Sequence, residues 1–186
     1  MNELFQIFLF IIAILYKFLL ARQNIFGWIL GATSSAFSAI YVLCYLRLPL
    51  LMSLELSFLL LSLYGVYKHK RKITYLTKID YLIITMAIFV IGYLLKMQLQ
   101  SGTIWYEAGG SVSFLIGVIF MAQKNKISII IGWLCFINGS LCVGSVMLYK
   151  HAYILVLLHV ISIGIGIYAI LKIYRYNNKN KMVHSL

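Results

Sequence analysis

The chain reads as an all-α integral membrane protein of seven spanning helices, on three observations. Hydrophobic residues fill 63% of its 186 positions and charged residues only 11%, with a mean hydropathy of +0.96; soluble domains carry far more polar surface. Apolar runs of about 17–25 residues, the length that crosses a bilayer, recur seven times. The basic residues then fall mainly on alternate connections, as the positive-inside rule requires.

The runs cover residues 5–20, 25–43, 49–66, 79–95, 106–122, 127–149 and 152–174. The first has no basic leader and no small-residue cleavage site, so it is expected to stay in the protein. With the N-terminus outside, only Arg47, Lys96 and Lys150 lie outside. The other thirteen of the 16 basic residues face the cytoplasm, including Lys17, Arg22, the 68–72 cluster and the 172–181 cluster. That split predicts a multi-pass membrane protein, N-terminus out and C-terminus in. It also explains the +12 charge without nucleic acid, and the clusters suit anionic lipid.

The longest connection, residues 67–78, has no room for a nucleotide-binding or peripheral catalytic module. Three cysteines, Cys44, Cys135 and Cys142, are an odd number without metal or redox spacing. No nucleophile and base stand at catalytic spacing. The expectation is a non-enzyme with no cofactor and no metal, whose partners are a small-molecule substrate and the lipid bilayer.

The chain also repeats itself. GWILGATSSAFSAIYVLCYLRLP from Gly27 aligns with GWLCFINGSLCVGSVMLYKHAY from Gly132. Gly27 and Trp28 then match Gly132 and Trp133, Thr33 matches Asn138, and Ser35 matches Ser140. After a one-residue deletion, Arg47 falls on His151, Glu55 on His159, Tyr64 on Tyr168 and Arg71 on Arg175. The preceding runs end alike, FLLARQ and IFMAQK. Two three-helix units, residues 5–71 and 106–175, therefore flank one linker helix, residues 79–95. The linker restores orientation, because three spans leave a chain on the opposite side from its start. This 3+1+3 plan makes one transmembrane domain, residues 1–174, with a basic tail over 175–186. Two parallel repeats related by an axis along the membrane normal place a substrate site between them.

Glu55 sits inside an apolar run, where a carboxylate costs roughly 2.5–3.5 kcal/mol to insert. With His159 at the equivalent place, both lie roughly 9–10 Å below the outer helix ends and are candidates to face one central cavity. The alternatives are a structural glutamate on an oligomer seam and a histidine bonded to a Ser or Tyr within the bundle. The second span adds Thr33, Ser34, Ser35 and Ser38; the sixth adds Asn138, Gly139 and Ser140. Small residues of this kind also serve close helix packing. Trp133 and Phe136, three apart, form a candidate stacking platform. Trp28, with Tyr41, Tyr45, Tyr149 and Tyr153, reads as interfacial belt.

These residues carry a family signal. NIFGWILG and LPLLMSLELSFLLLSLYGVYKHKR, within residues 24–71, resemble the first repeat of the PnuC vitamin transporters, the nicotinamide riboside carriers. EAGGSVSFLIGVIFMAQKNK, GWLCFIN and LYKHAY, within residues 107–153, are similar to that family's later half. The resemblance implies a 3+1+3 bundle, a homotrimer with one pathway per protomer, and facilitated diffusion with intracellular phosphorylation trapping the solute. It also implies a ligand site built on paired Trp residues and an Asn of the sixth helix. Trp133 matches one Trp, Ile130 stands where the other belongs, and Asn138 is near the expected amide. Where that family has an uncharged polar residue on its third helix, often Gln, this chain has Glu55.

The expectation is a carrier of a vitamin-like or nucleoside-like solute, with nicotinamide riboside first and thiamine close behind. Glu55 would attract a fixed pyridinium charge. Trp133 and Phe136 would stack on the ring, worth about 0.5–2 kcal/mol each. Asn138 and the hydroxyls of Thr33, Ser34 and Ser38 would bond the ribose, and Gly31, Gly65, Gly139 and Gly164 would let helices slide. Two rivals remain: a proton-coupled or SWEET-like sugar carrier using a relay of Glu55 and His159, and a non-transporting membrane scaffold.

Overall fold

The computed structural model describes residues 2–47, 49–71, 77–82, 85, 103–123 and 125–183. Among these the elements are all helical: α1 (Asn2–Ala21), α2 (Ile25–Tyr41), α3 (Pro49–Arg71), α4 (Ile104–Met121), α5 (Lys126–Tyr149) and α6 (Tyr153–Val183). A five-residue π segment, Val42–Leu46, extends α2. Five of the helices (α1, α2, α4, α5 and α6) are long and apolar enough to cross a membrane. In hydrocarbon a helix satisfies its own backbone groups, which is why apolar runs of this length take no other form here. Most of the expected linker span, residues 79–95, lies outside the described residues, as do Lys72, Lys96 and Lys124; residues 78–82 are helical.

The described helices pack in a closed ring. Each touches its chain neighbour within α1 to α3 and within α4 to α6, and the ring closes through α1 on α6 and α3 on α4. Exchanging the two triplets maps one closing contact onto the other, as a twofold between repeats would. Local geometry repeats as well. Asn24 caps α2 by accepting from Phe26 N at 3.0 Å, and Asn125 caps α5 by accepting from Ile127 N at 3.2 Å. At the far ends Arg47 (φ 54°) and His151 (φ 56°), paired in the repeat alignment, both adopt the left-handed conformation.

Between those marks α5 is the longer helix, so the two Gly-Trp pairs do not start level. Trp28 lies four residues beyond its cap and Trp133 eight, about one helical turn deeper. Both nonetheless pack on the third helix of their own triplet. A Cβ at Gly65 would come within 2.6 Å of Trp28 Cδ2, and one at Gly166 would lie 3.5 Å from Trp133 Cε3. Without a hydrophobic drive between helices in lipid, such close approaches supply the packing energy. The backbones of α4 and α5 also come close, where a Cβ at Gly132 would sit 2.8 Å from Gly117 O.

Several surface expectations are corrected by this packing. Trp28 is buried at 4% exposure rather than set in an interfacial belt. Tyr41 is buried too, and its hydroxyl accepts from Gln6 Nε2 at 2.6 Å; Tyr45, Tyr149 and Tyr153 stay exposed. Gly164 meets open space and is no sliding contact. The basic loop after the third span is shorter than expected, because α3 continues through Arg71. Likewise α6 carries the tail onward as helix to Val183.

Candidate functional site

A cavity of about 80 Å³ lies inside the ring, and every described helix contributes to its wall. On α1 the lining residues are Leu9, Ala13, Tyr16 and Lys17, and on α6 they are Leu155, Leu158 and His159. Both sets follow helical spacing, so each is one face of its helix. From α2 come Ser34, Ser35 and Ser38, with Val42 of the π segment continuing the stripe.

The carboxylate of Glu55 reaches this cavity from α3 and accepts a hydrogen bond from Ser38 Oγ at 2.9 Å. It remains only partly buried because it faces the void. One wall is aromatic. Phe58, Phe114 and Phe136, from three different helices, meet edge to face with centroids 4.8–6.4 Å apart. His159 lies against Phe114 at 6.3 Å, and its buried Nδ1 has no partner among the described residues.

A second charge shares the space. Lys17, 3% exposed, donates from Nζ to Ser162 Oγ at 2.5 Å. Its ammonium also stands 5.5 Å from the Phe136 ring centroid and 5.7 Å from that of Tyr16, within cation–π range. The topology argument put Lys17 in the cytoplasm; the α1 face puts it inside the bundle instead. Lys68 is corrected in the same way. It is fully buried and pairs with Asp80 Oδ2 at 2.8 Å rather than joining a solvated cluster.

Of the eight sequence-derived site residues, Glu55, His159, Phe136, Ser34 and Ser38 meet at the cavity. Three stand elsewhere. Trp133 is buried behind Phe136, edge to face at 5.8 Å, and is not part of the wall. Thr33 is exposed and bonds back to Ile29 O at 3.2 Å. Asn138 is exposed and donates to Ser113 Oγ at 2.8 Å. Helical phase accounts for the last two. Asn138 is two residues, about 200°, from Phe136, and Thr33 is off the face that Ser34 and Ser38 share. Among the described residues no hydrogen bond links Glu55 to His159, so the geometry holds no direct relay between them.

The wall combines aromatic rings with hydroxyls, the Glu55 carboxyl and the Lys17 amine. A family model described as nicotinamide mononucleotide transporter matches residues 3–175. The chain belongs to that family. The match runs from α1 into α6, agrees with the PnuC resemblance, and makes the chain a member of a family of multi-pass membrane transporters. Neither a curated protein nor a solved structure matched it.

Four aromatic or charged wall residues of this family member escaped the sequence reading: Tyr16, Lys17, Phe58 and Phe114. Lys17 had a usable signal, since it is the one charge inside the run 5–20 and continues the face of Leu9, Ala13 and Tyr16. Asp80 had one too. Thr77 and Asp80 form a reciprocal cap, with Thr77 N donating to Asp80 Oδ2 at 2.6 Å and Asp80 N to Thr77 Oγ1 at 3.3 Å. The spacing is that of a capping box. Phe58 and Phe114 gave no signal apart from their neighbours, because phenylalanine is ordinary in any span.

Proposed function

We propose that this chain carries a nicotinamide–ribose compound across a bacterial cytoplasmic membrane by facilitated diffusion, with nicotinamide riboside as the first candidate. The observation that carries the reading is the placement of Glu55 beside the three phenylalanines in one cavity inside the ring. A pyridinium ring needs an aromatic surface and a nearby negative charge, and both are present. The serines of α2 are within the same wall for the ribose hydroxyls.

The cavity, at about 80 Å³, is well under the roughly 300–1,000 Å³ of ordinary ligand pockets. Loading therefore requires the two triplets to part. The seams of α1 with α6 and of α3 with α4 are the natural planes for rocking, since each triplet is otherwise continuous. The proposal includes a single transmembrane domain over residues 1–174 in a 3+1+3 arrangement of seven spans, N-terminus outside and C-terminus inside, assembled as a homotrimer. Phe136, with Phe58 and Phe114, takes the stacking role first given to Trp133. Thr33 and Asn138 have no part in ribose binding.

The test is a thermal-shift and liposome-uptake series on the purified protein with nicotinamide riboside, nicotinamide mononucleotide, thiamine and riboflavin. Stabilisation by the nicotinamide compounds is expected. A Glu55→Gln variant that inserts and folds should lose at least tenfold in affinity for the pyridinium ligands, on the order of one buried charge contact. Stabilisation by none of the four compounds would sink the reading.

A further inference from the structure

The outward side of α5 carries a polar group that its own helix does not satisfy. Ile131, Leu134, Asn138, Leu141, Ser145 and Leu148 are all exposed and follow one another at alternating steps of three and four residues. That is the spacing of a heptad seam, with Leu134, Leu141 and Leu148 seven apart and Asn138 central in the other set. Asn138 is also mid-helix, roughly 16–18 Å from either end of α5, which is the depth of the hydrocarbon midplane. Acyl chains cover exposed leucines without cost. They do not cover an exposed amide.

The outward hydroxyls nearby are satisfied within their own helices. Ser145 Oγ donates to Leu141 O at 2.9 Å. Thr33, which the repeat alignment pairs with Asn138, donates to Ile29 O at 3.2 Å. Asparagine has two amide protons and a carbonyl oxygen to place. Among the described residues Asn138 makes one bond, from Nδ2 to Ser113 Oγ of α4 at 2.8 Å. Its second proton and its carbonyl remain at the exposed face, where lipid tails offer neither donor nor acceptor. The two repeats therefore differ: at this position α2 is complete in lipid and α5 is not.

A second copy of this chain supplies the missing partner by symmetry. Copies inserted in one orientation lie parallel, so an axis along the membrane normal brings α5 against α5 with equivalent residues at one depth. Asn138 then meets Asn138, and an amide is complementary to itself, proton to carbonyl. The leucine layers fall into step above and below it. A single Asn among apolar heptad positions fixes register between helices, and polar side chains hold membrane helices together. We propose that the exposed 131–148 stripe of α5 is the seam on which copies of this chain associate, set in register by Asn138. The inference rests on the homotrimer reading above and deepens it by naming the contact face.

Disulfide cross-linking of the full chain in membranes tests the seam, with Cys44, Cys135 and Cys142 first replaced by serine. Leu134→Cys and Leu141→Cys are expected to give a linked dimer under mild oxidation. Ile29→Cys and Leu171→Cys, on other exposed faces, are expected to give none. In detergent, Asn138→Leu should weaken self-association about fivefold or more, read by light scattering over a dilution series. Asn138→Gln keeps the amide and should retain most of the association. Cross-links at Ile29 or Leu171 with none on α5 overturn the proposal, as does unchanged association of a folded Asn138→Leu protein. An oligomer that cross-links only elsewhere sinks the seam alone; a wild type that stays monomeric sinks the homotrimer reading with it.

Discussion

Two lysines are buried in this bundle, and they are buried differently. Lys68, at the end of α3, meets Asp80 at 2.8 Å with both side chains fully enclosed, and Thr77 braces the same carboxylate through its N–H and its hydroxyl. Lys17, in α1, has a lone serine and the face of a phenylalanine, with its carboxylate counterpart on another wall of a void. The first arrangement is an ion pair made within the protein that ties α3 to the start of the following segment, although Asp80 Oδ1 is buried without a partner among the described residues. The second stays open toward the cavity. Burial of charge by itself does not mark a binding site; the space beside Lys17 and Glu55 is what makes theirs a candidate.

The largest expected effect comes from breaking the closed pair. Asp80→Asn takes the carboxylate away from the enclosed Lys68 ammonium and should lower stability by about 3–5 kcal/mol, read as thermal unfolding in detergent. Ligand affinity of the protein that remains folded should stay near wild type. If affinity instead falls in step with that of the Glu55 variant, the two lysines do not differ as argued. Ser162→Ala removes the one bond Lys17 makes and should cost less, about 1.5–3 kcal/mol for a hydrogen bond to a charged group. Its signature is a changed ligand affinity, which the Asp80 variant should not show. The smallest effect belongs outside both regions. Asn138→Ala loses the bond to Ser113 between α5 and α4 and should cost about 0.6 kcal/mol, a typical figure for a polar contact between membrane helices. Its uptake should match wild type; a tenfold loss would return Asn138 to the site.

How far the sequence reached depended on how local each question was. Spans were legible as apolar runs, and the alignment paired Arg47 with His151, which both adopt the left-handed conformation; the Asn24 and Asn125 caps went unread. Glu55 and His159 were legible because a polar side chain in an apolar run stands out, and the repeat gave them a shared depth. The errors came from two sources. Thr33 and Asn138 were chosen by residue type without regard to helical phase, which turns them away from Phe136 and Ser38. Lys17 and Lys68 were read as solvent-facing from their nearness to span ends, where long basic side chains ordinarily snorkel to the interface.

The amino-acid order alone settled that this is a helical membrane protein and where most of its described helices begin and end. Those properties follow from hydrocarbon thickness and the need to satisfy each backbone group within its own helix. Tertiary structure alone decided that Lys17 shares a cavity with Glu55, that Trp133 stands behind that cavity, and that Lys68 closes on Asp80. These depend on how each helix is rotated about its axis. Rotation is set by where glycines such as Gly65, Gly117 and Gly132 let neighbours approach, a property of pairs of helices that no single run of residues contains.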